Sequence, residues 1–176
     1  CQQYETALIA DEVQSGFSRS GTFFAFQNNN IKPHVITMAK GMGNGFPIGG
    51  ILVHPDVKPI YGMLGTTFGG NHLACTASLA VLEILKKDKL QQHAKAMETY
   101  FRSKAEKIKG AKIKGRGLML GLEFDFEVGP LRKRLIYEKK IFTGGSSNKN
   151  VIRILPPLTV KKSHFDQFFD ALEALL

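Results

Sequence analysis

Two residues stand where a chain could do chemistry on a small ligand. Asp11 closes the short apolar run TALIAD, and Lys40 closes a second run, HVITMAK. In open α/β sheets ligands sit beyond the carboxyl ends of strands. An acid and an amine carried on neighbouring parallel strands would therefore face one site. On the pair alone, a simple ion pair explains as much. Lys40 is also set in unusual surroundings: five glycines, Gly41, Gly43, Gly45, Gly49 and Gly50, follow it before the chain turns apolar again. A solvated lysine needs no bare backbone around it, whereas one that must meet a bulky planar ligand does.

A third element changes the balance. The stretch GTTFGGN, residues 65–71, offers the hydroxyls of Thr66 and Thr67 and three glycines just before an apolar helical run. Hydroxyls and bare amides ahead of a helix suit a phosphate. No G-x-x-x-x-G-K-[ST] is present, so the loop is not a nucleotide P-loop. An acid, a lysine and a phosphate site together suggest pyridoxal 5'-phosphate: the lysine forms the Schiff base, and the acid keeps the pyridine nitrogen protonated.

The elements that must position these groups can be read coarsely. TALIAD, HVITMAK and IGGILVH (48–54) read as short strands buried on both faces of an α/β sheet. Leu73 to Leu85 is apolar nearly all round and reads as a core helix, with Cys75 a buried small residue inside it. Leu90 to Lys109 repeats Leu90, Ala94, Met97, Phe101, Ala105 and Ile108 at helical spacing, and Gly110 stops it. GLMLGLEFDF puts Leu118, Leu120, Leu122, Phe124 and Phe126 on one face of a strand. VIRIL (151–155) is another strand, ended by Pro156 and Pro157. A last helix begins with Ser163 as N-cap and carries Phe165, Phe168, Phe169, Leu172 and Leu176. The division falls near residue 85, between a glycine-rich α/β portion and an α+β portion.

Composition sets bounds. The chain has 176 residues, of which 43% are hydrophobic, so a packed core is expected. No apolar run is long enough to span a membrane, and no signal peptide is visible. Two cysteines make no disulfide framework and suit a reducing, cytoplasmic setting. The formal charge is +9, and residues 86–116 hold eleven Lys and Arg against three acids. A solvated helix face accounts for this better than a nucleic-acid patch, because no aromatic or glycine pattern of a nucleic-acid module accompanies it. His34, His54, His72, His93 and His164 show no metal-ligand spacing, so no metal site is expected.

The stretches LIADEVQSGFSRSGTFFAFQ, PHVITMAKGMGNGFPIGG, GTTFGGNHLACTASLAVLEIL and VIRILPPLT together resemble the class III, or ornithine-type, aminotransferases. Within that family the resemblance is greatest to the N-acylornithine enzymes. It implies a fold-type I pyridoxal-phosphate transferase. Residues 1–85 would be the C-terminal part of the large cofactor-binding domain and 86–176 the small α+β domain. It implies that Asp11 pairs with the pyridine nitrogen, that Gln14 lies near the ring hydroxyl, and that Lys40 carries the cofactor. It implies that Thr67 binds phosphate across a homodimer interface, that Thr66 lies close to substrate, and that Arg153 grips the substrate α-carboxylate. Taken without the motif, Arg153 could equally be a core ion pair, Gln14 a turn residue and Thr66 a helix cap. The implied reaction passes an amino group from an N-acylornithine to 2-oxoglutarate, a step of arginine biosynthesis. The partners would be amino-acid and 2-oxo-acid substrates, with no nucleic acid and no membrane. Rival readings are an ornithine or 4-aminobutyrate aminotransferase, or a non-catalytic fragment with a basic binding face. The family's chains are much longer, and this sequence lacks their Gly-Thr phosphate loop and the aromatic that stacks on the ring.

Overall fold

In a computed structural model describing residues 1–176, the side chain of Gln2 aside, the chain divides into two compact units, Cys1–Leu90 and Gln91–Leu176. The first unit holds strands β1 (Ile9–Asp11), β2 (Val35–Met38) and β3 (Gly50–Val53), then helix α1 (His72–Lys87). Its sheet runs in the order β1-β2-β3, with β1 parallel to β2 and β3 antiparallel to it. Asp11 is level with Thr37, which puts Lys40 a short step past the carboxyl end of the neighbouring strand.

The three apolar runs are strands, as their β-branched content favours, but they are not buried on both faces. Residues of β2 are half-buried, and Ile51, Leu52 and Val53 of β3 are exposed. Helix α1 departs further from expectation. Leu73, Leu79, Leu82 and Ile84 are all exposed, only Ala74, Ser78 and Leu85 are buried, and Cys75 is exposed. An all-round apolar helix is of the kind usually covered on every side, whereas among the described residues of its own unit only part of this one is covered. The firm packing in this unit lies in the loop after β1, where Phe17, Phe23, Phe24 and Phe26 stack and tilt against one another.

The second unit closes a core of its own. Helix α2 (Leu90–Ala105), strands β4 (Lys112–Arg116) and β5 (Met119–Glu123), helix α3 (Gly129–Tyr137), strand β6 (Val151–Ile154) and helix α4 (Lys162–Glu173) follow in chain order. The antiparallel sheet runs β4-β5-β6. Directly opposed residues share a face, so Leu120 with Ile154 and Leu122 with Ile152 form the apolar side. Phe101 of α2 and Phe165, Phe168 and Phe169 of α4 belong to the same buried cluster, Phe101 being wholly buried with the three rings around it.

Several boundaries move. Helix α2 ends at Ala105, and the chain reaches buried Ile108 through turns before Gly110, whose φ of 82° is open to glycine at no steric cost. Phe124 and Phe126 both lie beyond β5; Phe124 is buried, and Phe126 is 41% exposed. Helix α4 begins at Lys162 rather than after Ser163, because the ring nitrogen of His164 accepts the backbone N–H of Lys161 at 3.2 Å and takes the capping role. Leu176 follows the end of that helix and is exposed. Phe101→Ala should lower the opening free energy of the Leu120 and Leu122 amides by about 3–5 kcal/mol, read by native-state hydrogen exchange.

Candidate functional site

Asp11 ends β1 with its side chain in solvent and its carboxylate held. Oδ1 accepts the hydroxyl of Thr37 at 2.8 Å and the backbone N–H of Val13 at 3.1 Å. The Thr37 hydrogen bond, then that of Val13, hold its carboxyl below the usual carboxylate range, and the charge of Lys40 adds to them as the smallest influence. Asp11 is thus not primarily the partner of an ion pair. Its orientation is set by Thr37, one strand over, and among the described residues no hydrogen bond or ion pair engages the Lys40 amine.

Lys40 opens a short 3₁₀ turn, Lys40–Met42, directly after β2. Its φ is 46°, a left-handed conformation that costs a residue with a Cβ about 1 kcal/mol or more. Such strain persists only where neighbouring structure fixes it. The glycines that follow show how. A Cβ on Gly43 would lie 2.3 Å from the Phe46 carbonyl oxygen and 2.6 Å from Ile48 Cγ2, and one on Gly41 would lie 3.3 Å from Phe17 Cβ. The bare backbone after Lys40 is therefore filled by the chain itself. It lets the turn fold tightly and meet Phe17, which explains these two glycines without a ring lying on them.

The loop between β1 and β2 has an anchor that spacing does not announce. Glu12 is 3% exposed. Its carboxylate accepts the Ser15 hydroxyl at 2.6 Å and the backbone N–H groups of Ala25 and Phe26 at 2.9 and 2.8 Å. It closes the loop onto the N-terminus of a 3₁₀ turn, Ala25–Asn28, and so fixes the backbone on which Asp11 sits. Gln14 is exposed in the same loop. Thr66 and Thr67 lie in an exposed loop well before α1. Thr66 does not cap that helix: Asn71 does, its side chain accepting the Ala74 N–H at 3.0 Å. A Cβ on Gly69 would lie 2.0 Å from Thr66 Cγ2, so the loop doubles back on Thr66.

Arg153 belongs to the second unit. It stands on β6 with its side chain exposed, on the face opposite buried Ile152 and Ile154. That excludes the core ion pair. Opposite it on β5 is Gly121, whose own partner on β4 is Lys114, and on its other side is Gly144. Nearby lies a cavity of about 380 Å³ lined by Phe142, Leu155, His164, Phe165 and Phe168 together with Arg153. Of the resemblance residues, the structure brings Asp11 and Lys40 together and describes Arg153 separately, in its own unit.

The fold and the strand-end pair define a mixed α/β protein of the fold-type I pyridoxal-phosphate class, and comparison with known proteins agrees. The family model for class-III aminotransferases matches residues 1–176, and the chain belongs to that family. An acetylornithine aminotransferase of Aquifex aeolicus is 41% identical over 178 residues, covering 100% of this chain and 46% of that protein. An ornithine aminotransferase of an Exiguobacterium species is 34% identical over 182 residues, covering 100% of this chain and 45% of that one. The crystal structure of ornithine aminotransferase from Toxoplasma gondii superposes with a TM-score of 0.86 at 28% identity, over 99% of this chain and 44% of that one. The chain thus spans slightly under half the length of these relatives. Class-III aminotransferases use pyridoxal phosphate, and an exposed, hydrogen-bonded carboxylate beside a strained lysine is a donor set that fits it.

Asp11's lowered carboxyl contributes stability above its unfolded pKa and loses that contribution as the pH falls through the folded one. Thr37→Val removes the largest cause of the lowering. The Asp11 carboxyl should then titrate at a higher pH, followed by carbon-13 NMR of its side chain, while Val13 keeps part of the effect.

Proposed function

We propose that this chain contributes the cofactor-anchoring lysine and the carboxylate-binding arginine of a pyridoxal-phosphate aminotransferase. The observation that carries the reading is the pair at the carboxyl ends of adjacent parallel strands, Asp11 held ionised by Thr37 and Lys40 set beside it. When bound, the cofactor supplies an electron sink for a carbanion. Asp11 would keep the ring nitrogen protonated, and Gln14 would serve the ring hydroxyl. Thr67 would hold the phosphate from the facing protomer of a homodimer, and Thr66 would lie against the substrate. The Lys40 amine takes the proton from the substrate carbon that bears the amino group and returns a proton to complete the transfer, as base and then acid. Arg153 offers its planar fork to a substrate carboxylate. Its exposure on an open sheet face, flanked by glycines rather than side chains, supports this role.

Residues 1–85 then belong to the large cofactor-binding domain and 86–176 to the small one. The apolar surface left open on α1 and β3 is of the kind that marks a face packed against further protein. The donor we favour is an N-acylornithine, with 2-oxoglutarate as acceptor, in arginine biosynthesis in the cytoplasm. The naming of the relative from Aquifex aeolicus supports it. Ornithine itself is the second candidate, supported by the relative from Exiguobacterium. Comparing N-acetylornithine with ornithine as donor to 2-oxoglutarate separates them.

Borohydride reduction of the full-length holoenzyme should fix a pyridoxyl group on the Lys40 peptide, read by mass spectrometry. Lys40→Ala should lower transamination by at least about 100-fold, the scale of a lost proton-transfer group. Undiminished turnover by that variant would remove Lys40 from the mechanism.

A further inference from the structure

We infer that Gly144 and Arg132 are positioning residues that set the direction of the Arg153 guanidinium, an inference that rests on the reading of Arg153 as the carboxylate anchor. Gly144 is joined to Arg153 by an isolated two-way bridge. The Gly144 N–H donates to the Arg153 carbonyl at 2.8 Å, and the Arg153 N–H donates to the Gly144 carbonyl at 3.0 Å. The Arg153 side chain then crosses directly over Gly144. A Cβ there would lie 2.9 Å from Arg153 Nε and 3.2 Å from its Cβ, so any side chain at 144 must push the arginine aside.

One bridge with no strand on either side does not hold a segment still. Arg132 does so from α3. Its Nη2 donates to the Thr143 carbonyl at 2.8 Å, and its Nε donates to the Thr143 hydroxyl at 3.4 Å. On the far side of Gly144, a Cβ on Gly145 would meet Arg132 Nη1 at 3.0 Å. Arg132 therefore holds Thr143 by hydrogen bonds and lies close against Gly145, while buried Leu131 and Leu135 anchor its helix in the core. The chain of contacts runs from the core through Leu131 to Arg132, to residues 143–145, and to the Arg153 side chain. Bidentate capture of a carboxylate depends on the plane of the guanidinium, so a few tenths of an ångström at Gly144 is felt in binding rather than in folding.

The test compares KM in the holoenzyme for N-acetylornithine and for its decarboxylated counterpart, N-acetyl-1,4-diaminobutane, in Arg153→Ala, Arg132→Gln and Gly144→Ala. The ratio of the two KM values cancels any loss of folded enzyme. Each variant should shift the ratio against the carboxylate donor by about 10-fold, the scale of one charge-assisted hydrogen bond. A shift in Arg153→Ala with none in Arg132→Gln and Gly144→Ala would overturn the positioning role and leave the anchor in place. No shift in Arg153→Ala would overturn both.

Discussion

The hydrogen bond from Thr37 to Asp11 is the constraint on which the strand-end site depends. It can form only because β1 and β2 run parallel and in one register, Asp11 level with Thr37. A slip of one residue would turn Asp11 to the other face and give Thr37 nothing to donate to. The same register fixes how far past the carboxylate Lys40 emerges. Glu12 guards it from the other side, since its buried carboxylate binds the returning chain at Ala25 and Phe26 and keeps the residue after Asp11 from swinging free. Two adjacent acids thus differ in use: the buried Glu12 holds the backbone, and Asp11, held by Thr37 and Val13, keeps its side chain in solvent.

Glycine serves both units, in opposite senses. After Lys40 the missing side chains let the chain close on itself, with Gly43 against Phe46 and Gly41 against Phe17. Beside Arg153 they keep a sheet face open, with Gly121 and Gly144 in the two neighbouring places. The first use stabilises a strained lysine. The second leaves a cation unobstructed on a rigid strand. The same residue type reads identically in sequence, and only the backbone reveals which use is in play.

Much of this was legible in the residues. Asp11 and Lys40 fall at strand ends because both runs are short, β-branched and ended by a polar residue. The faces of α2 and α4 follow from helical spacing, and the apolar residues that define those faces are buried, Leu176 excepted. What was not legible depended on distant partners. Thr37 and Glu12 bond to residues far along the chain, and no local spacing announces that. Strand β4, KIKGR, carries a single apolar residue, and α3 only a few, so neither has a period to detect. Helix α1 misled because an all-apolar pattern states that a helix is to be covered and not by what.

Exposure carries different meanings in the two units. In the second, the basic residues that crowd the sequence lie over a closed apolar core and are partly neutralised: Arg102 by Glu98, Lys104 by Asp166 and Lys114 by Glu123. Lys112, Lys114 and Arg116 also lie along β4, an edge strand, where charge discourages pairing with another sheet. Solvation and edge protection account for this charge, so the excess of cations does not itself argue for a polyanion partner. In the first unit many of the exposed residues are large and apolar, Tyr61, Leu64, Phe68, Leu73 and Leu79 among them. Apolar area left in water is unfavourable, and patches of it are of the kind found where proteins pack together. The second unit closes its own core and leaves Arg153 exposed on β6, while the first leaves much of its apolar area on the surface.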